Sequence, residues 1–184
     1  MPVIDTQRNS KMVLGEVYFW TDTVKDWKHL LRDKYKTIII DTWRELVFRR
    51  LIDIYGFVIM PNHLHVIWEM LCKNGKEMPY ASFNKQTSHL IIKDLKANHP
   101  KVLPYFRVDE PEREFRVWKR DPLAIRMGYQ KIVDQKLKYT HYNPLHERWK
   151  LVEKPELYHW SSAKFYETGI DDFGFLTHYR ERFG

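Results

Sequence analysis

The sequence predicts an α+β fold, a ferredoxin-like split βαβ sandwich in which an antiparallel sheet carries helices packed on one face. Three observations lead there. Short apolar segments of strand character alternate with longer stretches whose apolar residues fall at helical spacing. Their order is strand, helix, strand, strand, helix, strand, helix. Between the second and third strands stands Pro61-Asn62, a turn signal that makes those two strands a hairpin.

In chain order, residues 1–12 read as a loose leader, residues 13–144 as one domain, and residues 145–184 as a tail packed on it. Val13 to Trp20 is the first strand, followed by a short helical turn over Trp27 to Leu31. From Asp33 to Arg50, Tyr35, Ile38, Ile39, Thr42, Trp43, Leu46 and Val47 fall at helical spacing and give an amphipathic helix. Leu51 to Met60 and His63 to Leu71 are the hairpin strands. Ala81 to Ala97 is the second helix, with Ser82 as candidate N-cap and Asn98-His99-Pro100 as its stop. Val102 to Glu114 is Pro-rich and charged and reads as a loop. Phe115 to Lys119 alternates and reads as the fourth strand, Asp121 to Ile125 as a turn. Gly128 to Tyr142 is the third helix, ended by Pro144, because a helix interior does not tolerate proline. Ser161-Ser162 marks a helix start in the tail.

The 184 residues carry 31 Lys and Arg against 24 Asp and Glu, a net charge of +7, with seven Trp and eleven Tyr. Basic and aromatic together suit a nucleic-acid partner, since cations neutralise phosphates and rings stack on unpaired bases. Composition alone equally suits a basic globular protein. Cys72 is the only cysteine, so no disulfide forms within the chain. The first eleven residues are polar and no apolar run nears the roughly 20 residues that span a bilayer. The expectation is a cytoplasmic protein with no membrane partner.

The chemistry-bearing residues are few. His63 and His65 flank Leu64 at the start of a strand, so they share one face while Leu64 points to the other. Two imidazoles so placed can hold a metal ion; they can equally be surface histidines after a turn. Tyr139 and Asn143 lie four apart at the end of the third helix and share a face. Asn143 can offer a carbonyl oxygen as third ligand, leaving positions open for a phosphate oxygen, with Tyr139 beside it as nucleophile. The alternatives are a half-buried helix tyrosine and an Asn that ends a helix before proline. His141 faces away from Tyr139 and is read as non-ligating.

Beyond these residues, the run Tyr55 to His65 resembles the signature of the HUH single-tyrosine transposases, most closely the REP-associated tyrosine transposase branch. Lys119-Arg120-Asp121-Pro122 and Gln135 to Pro144 resemble that branch's second signature, and Val152 to Ala163 its usual ending. The likeness runs from about Val17 to Tyr166. It implies His63 and His65 as metal-binding histidines, Asn143 as the helix-borne third ligand, and Mg²⁺ or Mn²⁺ as the ion. It implies Tyr139 as the nucleophile that forms a 5′-phosphotyrosine on single-stranded DNA, and hairpin-containing DNA as the partner, with a homodimer among the assemblies relatives adopt. The chain departs from the family after Asn143-Pro144, where Leu145-His146-Glu147-Arg148-Trp149 is bulkier and more charged than the small residues expected.

For phosphate contacts, Lys136 and Lys138 flank the nucleophile, and Lys119 and Arg120 belong to the second signature; Lys85, Lys93, Lys96 and Lys131 are further candidates. The function expected is a metal-dependent single-stranded DNA endonuclease and strand transferase. Its rivals are a catalytically silent DNA-hairpin-binding protein of the same fold and a metal-dependent phosphodiester hydrolase that uses water.

Overall fold

The structure, a computed structural model, describes residues 11–184. The first ten residues of the expected leader lie outside the described ones, and Met12 is buried against the core. Strand β1 (Val17–Thr23) leads into helix α1 (Asp33–Phe48), then hairpin β2 (Ile52–Ile59) and β3 (His63–Met70), then helix α2 (Pro79–Asn98). A small hairpin, β4 (Arg107–Glu110) with β5 (Arg113–Phe115), precedes β6 (Leu123–Arg126) and helix α3 (Gln130–Tyr142). Two short helices follow, α4 (Ala163–Thr168) and α5 (Arg180–Phe183). The main sheet runs β2-β3-β1-β6, every neighbour antiparallel. With β6 as fourth strand this is the split βαβ order. No helix among the described residues is long and apolar enough to cross a membrane.

Two cores form because the strands bury both faces. On one face Trp20, Ile54, Phe57, Val66 and Trp68 meet α1 and α2, where Trp43 stacks on Phe83 with centroids 5.5 Å apart. On the other, Val17, Phe19, Tyr55, Ile67 and Ile125 meet Val133 and Leu137 of α3. Helices therefore cover both faces rather than the one expected; the third helix lies beyond the βαββαβ unit and takes the face left open.

Several local expectations are corrected. The fourth sheet strand is Leu123–Arg126, inside the stretch read as a turn, and it pairs with β1 through Phe19 and Ile125. Of Phe115 to Lys119, Phe115 ends β5 and Trp118 makes one bridge to Val24. The loop read over 102–114 contains a 3-10 turn (Leu103–Phe106) and the β4–β5 hairpin. The first strand starts four residues later than expected and runs to Thr23, and the turn after it is Lys25–Trp27. Ser82 lies inside α2, which begins with Pro79 at its first position; its hydroxyl bonds Asn74 and Glu77 instead.

Two features fix α3 against the sheet. A bulge at Tyr55 and Gly56 shifts the β2–β3 register, and Gly56 faces Leu137 so closely that a Cβ there would collide with its Cδ1. Residues 145–184 close the outer edge of β2. Ile59 N–H donates to the Trp160 carbonyl, Ser162 N–H to Phe57, and Thr177 N–H to Ile54, which leaves that edge little backbone for another chain to pair with.

Candidate active site

The site grows from the β1–β3 pairing. Opposite residues of an antiparallel pair share a face, and the register sets Thr21 against His65 and Thr23 against His63. All four point to the face that α3 covers. Both histidines are buried, their rings 4.9 Å apart.

Each imidazole is held through its Nδ1. Asn62 Nδ2 donates to the Trp27 carbonyl at 3.1 Å, which turns Asn62 Oδ1 toward His63 Nδ1 at 2.7 Å. An amide oxygen only accepts, so His63 Nδ1 carries the proton and Nε2 presents a lone pair. His65 Nδ1 lies 2.8 Å from Thr21 Oγ1, and its Nε2 is buried without a hydrogen-bond partner. Metal-binding imidazoles are typically oriented in this way through their second nitrogen. Burial pushes His63 down to about 4; the Arg148 charge adds to this and a hydrogen bond with the Asn143 side chain opposes it. Burial likewise holds His65 well below the usual histidine range, helped by the His63 and Lys136 charges. Both are therefore neutral near pH 7, the form that ligates a metal.

Helix α3 brings the remaining residues. The Tyr139 ring lies 5.3 Å from that of His65 and 6.1 Å from Phe19, and the residue is 45 % exposed. One turn later Asn143 is buried and begins the 3-10 turn Asn143–Leu145, whose second residue is Pro144. One turn earlier Lys136 sets its Nζ 4.9 Å from the Phe19 ring centre and 5.8 Å from that of Tyr139. A cleft of about 650 Å³ opens here, lined by both histidines, Thr21, Trp27, Lys136, Tyr139, Asn143 and residues 146–149. The structure thus gathers His63, His65, Tyr139 and Asn143 in one place, with Lys136 and Arg148 supplying positive charge.

The donor set can be tested against a metal. Among the described residues no three His, Cys, Asp or Glu side chains gather into a metal-holding group, and the amide that lines the cleft beside both histidines is that of Asn143. Two imidazole nitrogens and one amide oxygen fit a divalent first-row ion, and the nitrogens suit Mn²⁺ better than Mg²⁺. The orphaned His65 Nε2 is the atom that such an ion would satisfy.

Other candidates spread over the surface. Lys119 reaches the cleft rim, its Nζ 5.9 Å from the Trp27 ring centre. Lys138 lies over Tyr142 on another flank of α3, and Arg120 is paired with Glu110 at 3.1 Å. Lys131 is exposed near the start of α3. Lys85, Lys93 and Lys96 belong to α2, on the opposite face of the sheet; Lys85 pairs with Glu77 and Lys96 lies over Phe115. His141 is buried with Nε2 2.8 Å from Ser162 Oγ, outside the cleft. The sequence reading missed Thr21, Asn62, Trp27 and Trp149. Only Asn62 carried a local signal, standing next to His63 in the hairpin turn.

No protein-family model matches the chain, and no curated protein matches it. Among solved structures it is similar to one described as the REP-associated tyrosine transposase bound to a REP hairpin. The match covers 92 % of this chain and 90 % of that one, at 15 % sequence identity and a TM-score of 0.62. At that identity the likeness is one of architecture, and the chain has the fold of the REP-associated tyrosine transposase.

Proposed function

We propose that the protein is a metal-dependent, tyrosine-nucleophile strand transferase acting on single-stranded DNA. The observation that carries the reading is Tyr139 against His65, beside a histidine pair held by Nδ1, with Asn143 lining the same cleft. His63, His65 and Asn143 would hold Mg²⁺ or Mn²⁺. When bound, the ion supplies Lewis-acid polarisation of a phosphate oxygen.

The chain's own residues account for the rest. Lys136 and Arg148 draw a phosphodiester into the cleft. Tyr139 Oη attacks phosphorus, its proton passing to solvent. The phosphorus bond to the leaving sugar oxygen breaks, and that oxygen takes up a proton and leaves as a 3′-hydroxyl. The product is a 5′-phosphotyrosine, which keeps the ester linkage, so a second 3′-hydroxyl can reverse the step and join strands without a nucleotide cofactor. The neighbour of like fold is bound to a REP hairpin, which supports hairpin-containing DNA as the partner.

The test is a covalent-adduct assay with Mn²⁺ and end-labelled single-stranded hairpin DNA from the sequences flanking the gene. The wild type gives a protein-linked band on a denaturing gel. Tyr139→Phe abolishes it while leaving hairpin affinity within about twofold, because the ring and its contacts remain. Cleavage that survives Tyr139→Phe would transfer the role of nucleophile to water. Hairpin binding without any adduct would mark a silent binding protein.

A further inference from the structure

The seven tryptophans divide into two groups. Trp20, Trp43, Trp68 and Trp118 are buried in the core, and Trp160 is packed against it. Trp27 and Trp149 line the cleft, Trp149 with part of its ring packed against Val58, Met60 and Tyr158. They lie on His63, with ring centroids 6.4 Å and 6.0 Å from the imidazole. Trp27 is half exposed. It also has a costly backbone: Asp26 and Trp27 both sit at φ 56°, the left-handed region that non-glycine residues rarely occupy. Strain of this kind persists where surrounding structure enforces it, and here Asn62, which orients His63, also grips the Trp27 carbonyl. Trp149 belongs to Leu145–Trp149, where the chain departs from the resembled family, and its ring also meets His29 at 5.4 Å. Each indole has a cation beside it: Lys119 Nζ is 5.9 Å from Trp27, and the Arg148 guanidinium is 5.3 Å from Trp149.

We propose that Trp27 and Trp149 are two base-stacking platforms that seat unpaired nucleotides of a single strand on either side of the phosphate held near His63. The inference rests on the strand-transferase reading only for the position of that phosphate. Stacking on an indole face is available to every base and does not read sequence, so the platforms fix where the backbone crosses the cleft. Lys119 and Arg148 lie where the phosphates of those nucleotides would pass. The occupant is a single strand, because a base inside a duplex has both faces covered by its stacked neighbours.

The test is binding in EDTA, which separates it from chemistry. The full chain is titrated with an oligothymidylate of about eight nucleotides and with the same length of abasic backbone, following tryptophan fluorescence and anisotropy. The wild type binds the base-bearing strand about tenfold or more tighter, with quenching. In Trp27→Leu/Trp149→Leu that ratio falls toward one, while affinity for the abasic strand is kept, which also shows that the fold survives. Trp27→Phe/Trp149→Phe restores most of the ratio. A ratio near one in the wild type, or one that persists in the double leucine variant, overturns the platforms. An adduct through Tyr139 without the ratio leaves the transferase and removes the platforms. The ratio without an adduct does the reverse, and no binding of either strand removes both.

Discussion

Thr21 carries one hydroxyl, and that hydroxyl decides which nitrogen of His65 faces the cleft. Replacing it by valine keeps the shape and the β-branch while removing the partner of Nδ1. The imidazole then loses the partner that orients it and can rotate. If the pair holds Mn²⁺, Thr21→Val weakens Mn²⁺ binding by about tenfold or more, as loss of an orienting partner commonly does. Calorimetric titration of Mn²⁺ checks it; unchanged affinity would mean that burial alone orients His65. That His63, His65, Tyr139 and Asn143 would meet was legible in the sequence because each sits in a short local pattern: two histidines across one strand residue, and a tyrosine and asparagine one helical turn apart. Thr21 was not, since only the β1–β3 register brings it to His65. Trp27 was not either, as its place depends on a left-handed turn with no glycine to signal it.

Helix α3 is positioned by what the strand beneath it lacks. Gly56 leaves room for Leu137, whose side chain is enclosed by the second core. In Gly56→Ala the new methyl group meets Leu137, and the helix or the leucine has to give way. Overpacking of this kind costs about 1–3 kcal/mol, read as a lower midpoint in urea unfolding. Because Tyr139 and Asn143 ride on the same helix, adduct formation falls more steeply than stability does. Equal losses would mean that the helix keeps its place. The long elements were legible because their periodicity is strong: α1, α2 and α3 each begin and end within about two residues of the expected bounds. Strand β6 was not. It is four residues long, follows a proline, and gains its identity from pairing with β1 about a hundred residues away. Phe115 to Lys119 alternates better, yet the chain needs that stretch to turn from the small hairpin toward Val24.

Stability belongs to the whole molecule, and Asp22 gives it a pH dependence. The carboxyl is fully buried on the α1–α2 side, with one oxygen accepting from Thr23 N–H and the other without a partner. Burial raises it to about 7, against the nearby Asn84 side chain, the Thr23 N–H and the Trp20 indole, which pull it down. Between the unfolded value near 4 and about 7, the folded chain keeps a proton that the unfolded chain has lost. The Asp22 contribution to stability therefore falls as pH rises across that window, against the opposite contribution of the buried His63, His65 and His141, and Asp22 adds no further slope above it. Asp22→Asn flattens this segment and raises the unfolding temperature at pH 8, the gain being on the order of a few kcal/mol. A thermal melt series from pH 4 to 8 decides it, and parallel curves for the two proteins would show that Asp22 titrates normally. The close seat of α3 over Gly56 has one more consequence, for lineage rather than chemistry. If the protein is the strand transferase proposed, a descendant could lose that activity by acquiring a single methyl group under the helix, while His63, His65, Tyr139 and Asn143 all stayed in place. Surveys that count intact signatures would score such a copy as mobile, and only the glycine in its second strand would betray the difference.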